Sequence, residues 1–120
     1  MLSLIISNKF INQAHFSRYM KQEAINTAKK AGDYLLGNFK KDETLFNERA
    51  MSKEIVTEYD KESDKLIISE LQNAFPEHNL LTEESGKIDN GSSYTWIVDS
   101  LDGTGNFAAG NPFFSVSIAL

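Results

Sequence analysis

Two aspartates three positions apart, Asp99 and Asp102, follow the apolar run Trp96–Val98 and lead straight into the turn Gly103-Thr104-Gly105-Asn106. Carboxylates at the end of a strand beside a glycine turn can hold a hard cation, and the backbone N–H groups of such a turn can hold a phosphate next to it. Two further acids stand in comparable places: Asp60 after the brief β-type run Ile55–Thr57, and Glu83 after the run Asn79–Thr82. The chain has no cysteine and only two histidines, His15 and His78, without ligand spacing. Oxygen donors alone suit Mg²⁺ or Mn²⁺ rather than zinc. Carboxylates brought to one rim of a sheet repel each other unless cations lie between them, so a shared site for more than one metal ion is coherent. Taken singly, each acid is more often a helix cap or a solvated loop residue. The argument lies in their grouping.

Two other motifs can be tested against the same turn. Gly103, Gly105 and Ala108 match the dinucleotide-binding pattern G-x-G-x-x-A after a strand. Asp99 and Asp102 directly before it would repel a pyrophosphate, and no room follows for the ribose-binding acid about 20 residues on. A calcium loop with its glycine at Gly103 would need acids at Val98 and Ala109, and fails.

The elements that would position these residues are readable in outline. Met20 opens an amphipathic helix with Ala24, Ile25, Ala28, Ala31, Leu35 and Phe39 at helical spacing, with Gly37 as a candidate end. A second helix is expected from about Asp60 to Phe75, with Leu66, Ile67, Leu71, Ala74 and Phe75 inward, Thr57 or Asp60 as its cap, and Pro76 as its stop. Residues 40–54 are charged and irregular, expected as a loop or hairpin, and 85–93 read as a loop. Strands are expected at Asn79–Thr82, at Tyr94–Val98 and over the alternation Phe113–Leu120. Residues 1–19 carry little pattern and are expected to be an N-terminal extension, with Met20 as the functional start. The last alternation has no polar residue to bring the chain to the surface, so a carboxylate on Leu120 is expected beside the core, in an amino-terminal piece of a longer protein.

The totals describe one ordinary globular domain of 120 residues with 41% apolar and 24% charged residues. A net charge of −5 argues against a nucleic-acid partner. No stretch approaches the about 18 apolar residues of a membrane span, so a cytoplasmic location is expected by default.

With these residues in view, the chain resembles the inositol monophosphatase family of metal-dependent phosphomonoesterases. Trp96 through Phe107 meet the family pattern W-[IV]-[IV]-D-P-[IL]-D-G-T-x-N-F except at Ser100, and Gly110 through Ala119 meet G-x-P-F-F-x-V-S-I-A. Val56 to Asp60 is similar to V-T-x-x-D, and Leu80 to Ser85 to I-x-G-E-E-S. The resemblance spans about Met20 to Leu120. It implies an α/β (α+β) layered sandwich, of which this part supplies two long helices and a largely antiparallel sheet. It implies two or three Mg²⁺ ions, with Mn²⁺ as a substitute. Glu83, Asp99 and the carbonyl of Leu101 would bind the first, Asp99 and Asp102 the second, and Glu83 would assist a third. Gly103 and Thr104 would offer N–H groups to the substrate phosphate. Thr104, hydrogen-bonded to Asp60, would with Glu83 orient and deprotonate the attacking water.

The departures are Ser100 for the usual proline, implying a less fixed turn, Thr82 for the usual glycine, and the absence of a W-D-x-A-A-G-like second signature. The expected activity is hydrolysis of a phosphorylated small molecule, inositol-1-phosphate first, with little or none from these residues alone. The alternatives are a 3′(2′),5′-bisphosphate nucleotidase, an NADP or fructose-1,6-bisphosphate phosphatase, and a non-catalytic remnant or binding module. The partner expected for the sheet is a second copy of the chain or a separately encoded C-terminal half.

Overall fold

The structure, a computed structural model, describes residues 2–39 and 58–120. The expected loop at 40–54, the β-type run Ile55–Thr57 and Thr57 as a cap lie outside the described residues. Helix α1 spans Leu2–Asn38 and helix α2 Glu58–Ala74. Strands β1 (Asn79–Thr82), β2 (Gly86–Ile88) and β3 (Thr95–Asp102) follow, then the short helix α3 (Thr104–Ala108) and strand β4 (Ser115–Ala119). The sheet order is β2-β1-β3-β4. The two end pairings are antiparallel, and the central β1–β3 pairing is parallel. Helices layered on a mixed sheet make this an α/β sandwich.

Helix α1 does not open at Met20 but runs continuously through it. Its inward stripe is Met20, Thr27, Ala31 and Leu35, with Ala24 partly buried, whereas Ile25 is exposed. Ile25 is one position off the 3.6-residue stripe, so geometry outweighs its hydrophobicity and Thr27 takes the buried place. On α2 the stripe Ile67, Leu71 and the following Phe75 meets Leu80, Trp96 and Val98 of the sheet in one core. Each such side chain contributes about 1.5–3 kcal/mol on burial. The Lys30–Glu70 ion pair, which joins the two helices at the surface, is worth under about 1 kcal/mol.

Strand β2 lies inside the stretch expected as loop, because its three residues are held by the hairpin partner β1 rather than by their own composition. Strand β4 is an edge strand. Leu120 follows it, 49% exposed and beside a groove lined by the core residues Met20 and Trp96 together with Ala24. No helix among the described residues is long and apolar enough to cross a membrane.

An aromatic stack closes the end of the core opposite the acids. His78 lies flat between Phe75 (ring centroids 4.9 Å apart) and Tyr94 (5.0 Å), and Phe16 and Tyr19 of α1 pack against Phe75. The buried indole of Trp96 donates its Nε1–H to His78 Nδ1 at 3.0 Å. An indole can only donate, so Nδ1 must be unprotonated and the imidazole neutral. Burial lowers the pKa of His78, with Glu77 opposing. A depressed histidine pKa gives stability that is present above the unfolded value near 6.5 and is lost as pH falls through the folded value. We predict that the stability difference between the wild-type chain and His78→Phe shrinks as pH falls from about 7.5 to about 5. Denaturation measured at several pH values would show it, and a pH-independent difference would contradict it.

Candidate active site

Parallel pairing carries the C-terminal ends of β1 and β3 to the same edge of the sheet, where ligands collect in open α/β sheets. The register pairs Leu81 with Ile97 and Thr82 with Val98, and the Glu83 N–H donates to the Val98 carbonyl at 3.4 Å. Glu83 and Asp99 are therefore the next residues out on adjacent strands. They share the sheet face of Leu81 and Ile97, since side chains alternate along a strand. The expected site pair is thus brought together by strand register. Their carboxyls are near enough for the charge on Asp99 to act on Glu83.

The charge on Asp99, with lesser help from burial and Asp60, raises the Glu83 pKa above the usual carboxylate range. Burial is the main cause raising Asp99, with Asp102 and Asp60 adding and the Leu101 N–H opposing. The Leu101 N–H donates to Asp99 Oδ1 at 3.3 Å and orients that carboxylate. Strand β3 continues through Asp102, with a register irregularity between Asp99 and Asp102 in its pairing to β4. Asp102 is consequently exposed at the strand's last residue.

Gly103 then turns the chain at φ 85°. A Cβ there would lie 2.7 Å from the Phe113 carbonyl oxygen, so neither the backbone angle nor the space admits a side chain. Helix α3 starts immediately after, and its Phe107 is buried against Phe39, Tyr59 and Phe114. This second core cluster, with Leu35 and Leu101, holds the turn from below.

Helix α2 supplies the remaining positioning. Asp60, in its first turn and 2% exposed, accepts a hydrogen bond from the Thr104 hydroxyl at 2.8 Å. The same hydroxyl lies 3.1 Å from the Leu101 carbonyl. Its single proton is thus committed to acceptors inside the turn, leaving oxygen lone pairs that can only receive a proton from an approaching water. Ser100 is buried, donates to the Asp60 carbonyl at 3.1 Å, and its own carbonyl accepts from Ser63 at 2.8 Å. The turn expected to be loose for want of a proline is instead pinned to α2 by two hydrogen bonds. Thr82, the other departure from the family pattern, gives its hydroxyl to Asp64 at 3.1 Å. Asp64, Ser63 and Ser85 were not singled out by the sequence, where Asp60-Lys61-Glu62-Ser63-Asp64-Lys65 reads as a solvated polar run. The i, i+4 spacing of Asp60 and Asp64 was the available signal.

Among the described residues, no group of three or more histidines and acids converges as a ready metal cage. What fits a hard cation is the Glu83–Asp99 pair, two oxygen donors held side by side where a cation would relieve the charge between them. A raised carboxylate pKa gives stability that is present below the unfolded value and lost as pH rises through the folded one. Asp99→Asn keeps the shape and removes one charge. It should raise the melting temperature of the cation-free chain at neutral pH, and the gain should vanish as pH falls to about 4. A gain unchanged with pH would contradict the like-charge pairing of Glu83 with Asp99.

Known proteins with this arrangement are numerous. The model of the inositol monophosphatase family matches residues 17–120. The chain is 40% identical over 98 residues to Nus factor SuhB of Haemophilus influenzae and 35% identical to that of Escherichia coli K12, covering 81% of this chain and 37% of each relative. It superposes on the crystal structure of the extragenic suppressor protein SuhB from Bartonella henselae with a TM-score of 0.72 at 36% identity, covering 84% of this chain and 40% of that one. An inositol monophosphatase from an Anabaena (Nostoc) species gives 0.67 at 34% identity, covering 84% and 34%. The chain therefore spans well under half the length of the relatives it matches. With the motifs, the sheet register and these likenesses in agreement, this chain belongs to the inositol monophosphatase family.

Proposed function

We propose that this chain is the cation- and phosphate-handling part of a Mg²⁺-dependent phosphomonoesterase, with inositol-1-phosphate as the first substrate to test. The observation that carries the reading is the juxtaposition of Glu83 with Asp99 beside a Thr104 hydroxyl committed to Asp60. Glu83, Asp99 and the Leu101 carbonyl would hold one Mg²⁺, and Asp99 with Asp102 another; Mn²⁺ has the same preference for oxygen donors. When bound, Mg²⁺ polarises the phosphoryl group and neutralises the charge that develops on its oxygens. Thr104 accepts one hydrogen of the attacking water and so fixes its direction, because its own proton is held by Asp60. Glu83, raised above the usual carboxylate range by its neighbour Asp99, is the group placed to take the water's proton. The N–H groups of Gly103 and Thr104 would bind the phosphate that the water attacks.

Nothing in this set of residues reads the alcohol that leaves. A 3′(2′),5′-bisphosphate nucleotide, NADP or fructose 1,6-bisphosphate would meet the same carboxylates, and phosphate release from each would rank them. The chain spans 37% of the SuhB relatives' length. For its sheet we propose pairing with a second copy or with a separately encoded C-terminal half. The apolar Leu81, Ile97 and Phe113, exposed by 43%, 55% and 74%, favour such pairing. They also favour a second reading, a binding module without turnover. The Nus factor name carried by the relatives is in keeping with that second reading.

Two measurements test the first reading. Calorimetry should show the 120-residue chain binding Mg²⁺ and Asp99→Asn losing it; equal binding by both would refute the cation assignment. Incubation with inositol-1-phosphate and millimolar Mg²⁺ should release little phosphate from the chain alone, and turnover comparable to a full-length relative would refute the need for a partner.

A further inference from the structure

We infer that Asp64 is a positioning residue for Glu83: its buried carboxylate, acting through the hydroxyls of Thr82 and Ser85, fixes the turn that aims Glu83 at Asp99. The inference rests on the reading of Glu83 and Asp99 as a cation-binding pair.

Asp64 is 1% exposed and lies one helical turn beyond Asp60 on the sheet-facing side of α2. Its Oδ2 accepts from Thr82 Oγ1 at 3.1 Å and from Ser85 Oγ at 2.5 Å. The Ser85 N–H in turn donates to Thr82 Oγ1 at 2.9 Å. The three groups form a closed ring of hydrogen bonds. Thr82 and Ser85 bracket Glu83 and Glu84, so the ring fixes both ends of the turn that carries Glu83. The Thr82 hydroxyl gives its proton to Asp64 and accepts one from Ser85, which leaves its rotamer no freedom.

The arrangement is expensive for mere packing. Asp64 Oδ1 is buried without a hydrogen-bond partner among the described residues. An unsatisfied buried polar atom is destabilising, and an apolar residue of similar size would avoid the penalty. What an apolar residue could not supply is an acceptor for two hydroxyls at once. Glu83 itself is exposed at the sheet edge and is pushed away by Asp99, so nothing in its own packing holds it in place. A buried tether on the far side of the turn counteracts that push. Groups that orient a ligand without touching the metal typically change metal affinity 10–100-fold (about 10² at most) when removed.

The test is the affinity of the 120-residue chain for Mn²⁺, read by calorimetry alongside thermal unfolding. Asp64→Ala should weaken binding by about 10-fold or more. Asp64→Asn, which keeps one oxygen for the two hydroxyls, should restore binding close to wild type. A merely structural role would move unfolding in both variants and leave the affinity of the folded protein alone. Should Asp64→Ala not fold, the paired change Thr82→Val with Ser85→Ala removes the two donors from the other side and should weaken Mn²⁺ binding to the same degree. Wild-type affinity in a folded Asp64→Ala protein, or in the Thr82→Val/Ser85→Ala protein, would overturn the inference. Asp99→Asn serves as the control: if it binds Mn²⁺ as the wild type does, the cation-binding pair itself is wrong, and the failure is assigned there rather than to Asp64.

Discussion

The site depends on helix α2 turning carboxylates and hydroxyls, not only apolar side chains, into the protein. Asp60, Ser63 and Asp64 are all buried at one end of the helix, and Ile67 and Leu71 continue the same stripe at the other. A buried carboxylate is tolerated only where hydrogen bonds replace its water. The hydroxyls that do so here come from two different turns of the sheet. Thr104 comes from the start of α3, and Thr82 and Ser85 from the turn after β1. Ser63 and Ser100 tie the middle of β3 to the same helix. The helix thus acts as a straight edge against which three chain segments are aligned.

Magnitudes assign different work to the two halves of that stripe. A typical internal hydrogen bond nets about 0.5–1.5 kcal/mol, while a buried Leu, Ile or Trp contributes about 1.5–3 kcal/mol or more. Ile67, Leu71, Leu80 and Trp96 therefore drive the folding, and the hydroxyl–carboxylate contacts decide where the turns end up. Those contacts hold Glu83 beside Asp99, whose charge pushes the Glu83 carboxyl up, while burial is the main cause raising Asp99. A site strained in this way is relieved by a cation, and the same strain makes it a weak point of the fold without one.

Much of the site was legible because it is linear. Asp99, Asp102, Gly103 and Thr104 sit within six residues, and their motif carried the family with it. The second helix and the part of the first from Met20 followed from periodicity, apart from Ile25 and Thr27, where hydrophobicity and stripe position disagree; the run of α1 before Met20 carried no such pattern. What could not be read was set by pairing between distant residues. Strand β2 exists because β1 holds it, and the parallel register that puts Glu83 beside Asp99 leaves no mark in either segment. Asp64 was hidden for a related reason: in sequence it is one charge among several on a polar run, and only the fold turns it inward. Ser100 and Thr82 read as departures from a pattern and are in fact two of the hydroxyls that bind the sheet to α2.

The central claim, that α2 fixes Glu83 and Asp99 into a cation-binding edge, can be tested directly by nuclear magnetic resonance. Titrating substoichiometric Mn²⁺ into the isotopically labelled chain broadens amide signals near the bound ion. Selective loss is expected at Glu83, Glu84 and Asp99 through Thr104, with signals around His78 and Tyr94, at the opposite end of the core, retained. Uniform broadening, or broadening centred on that opposite end, would contradict it.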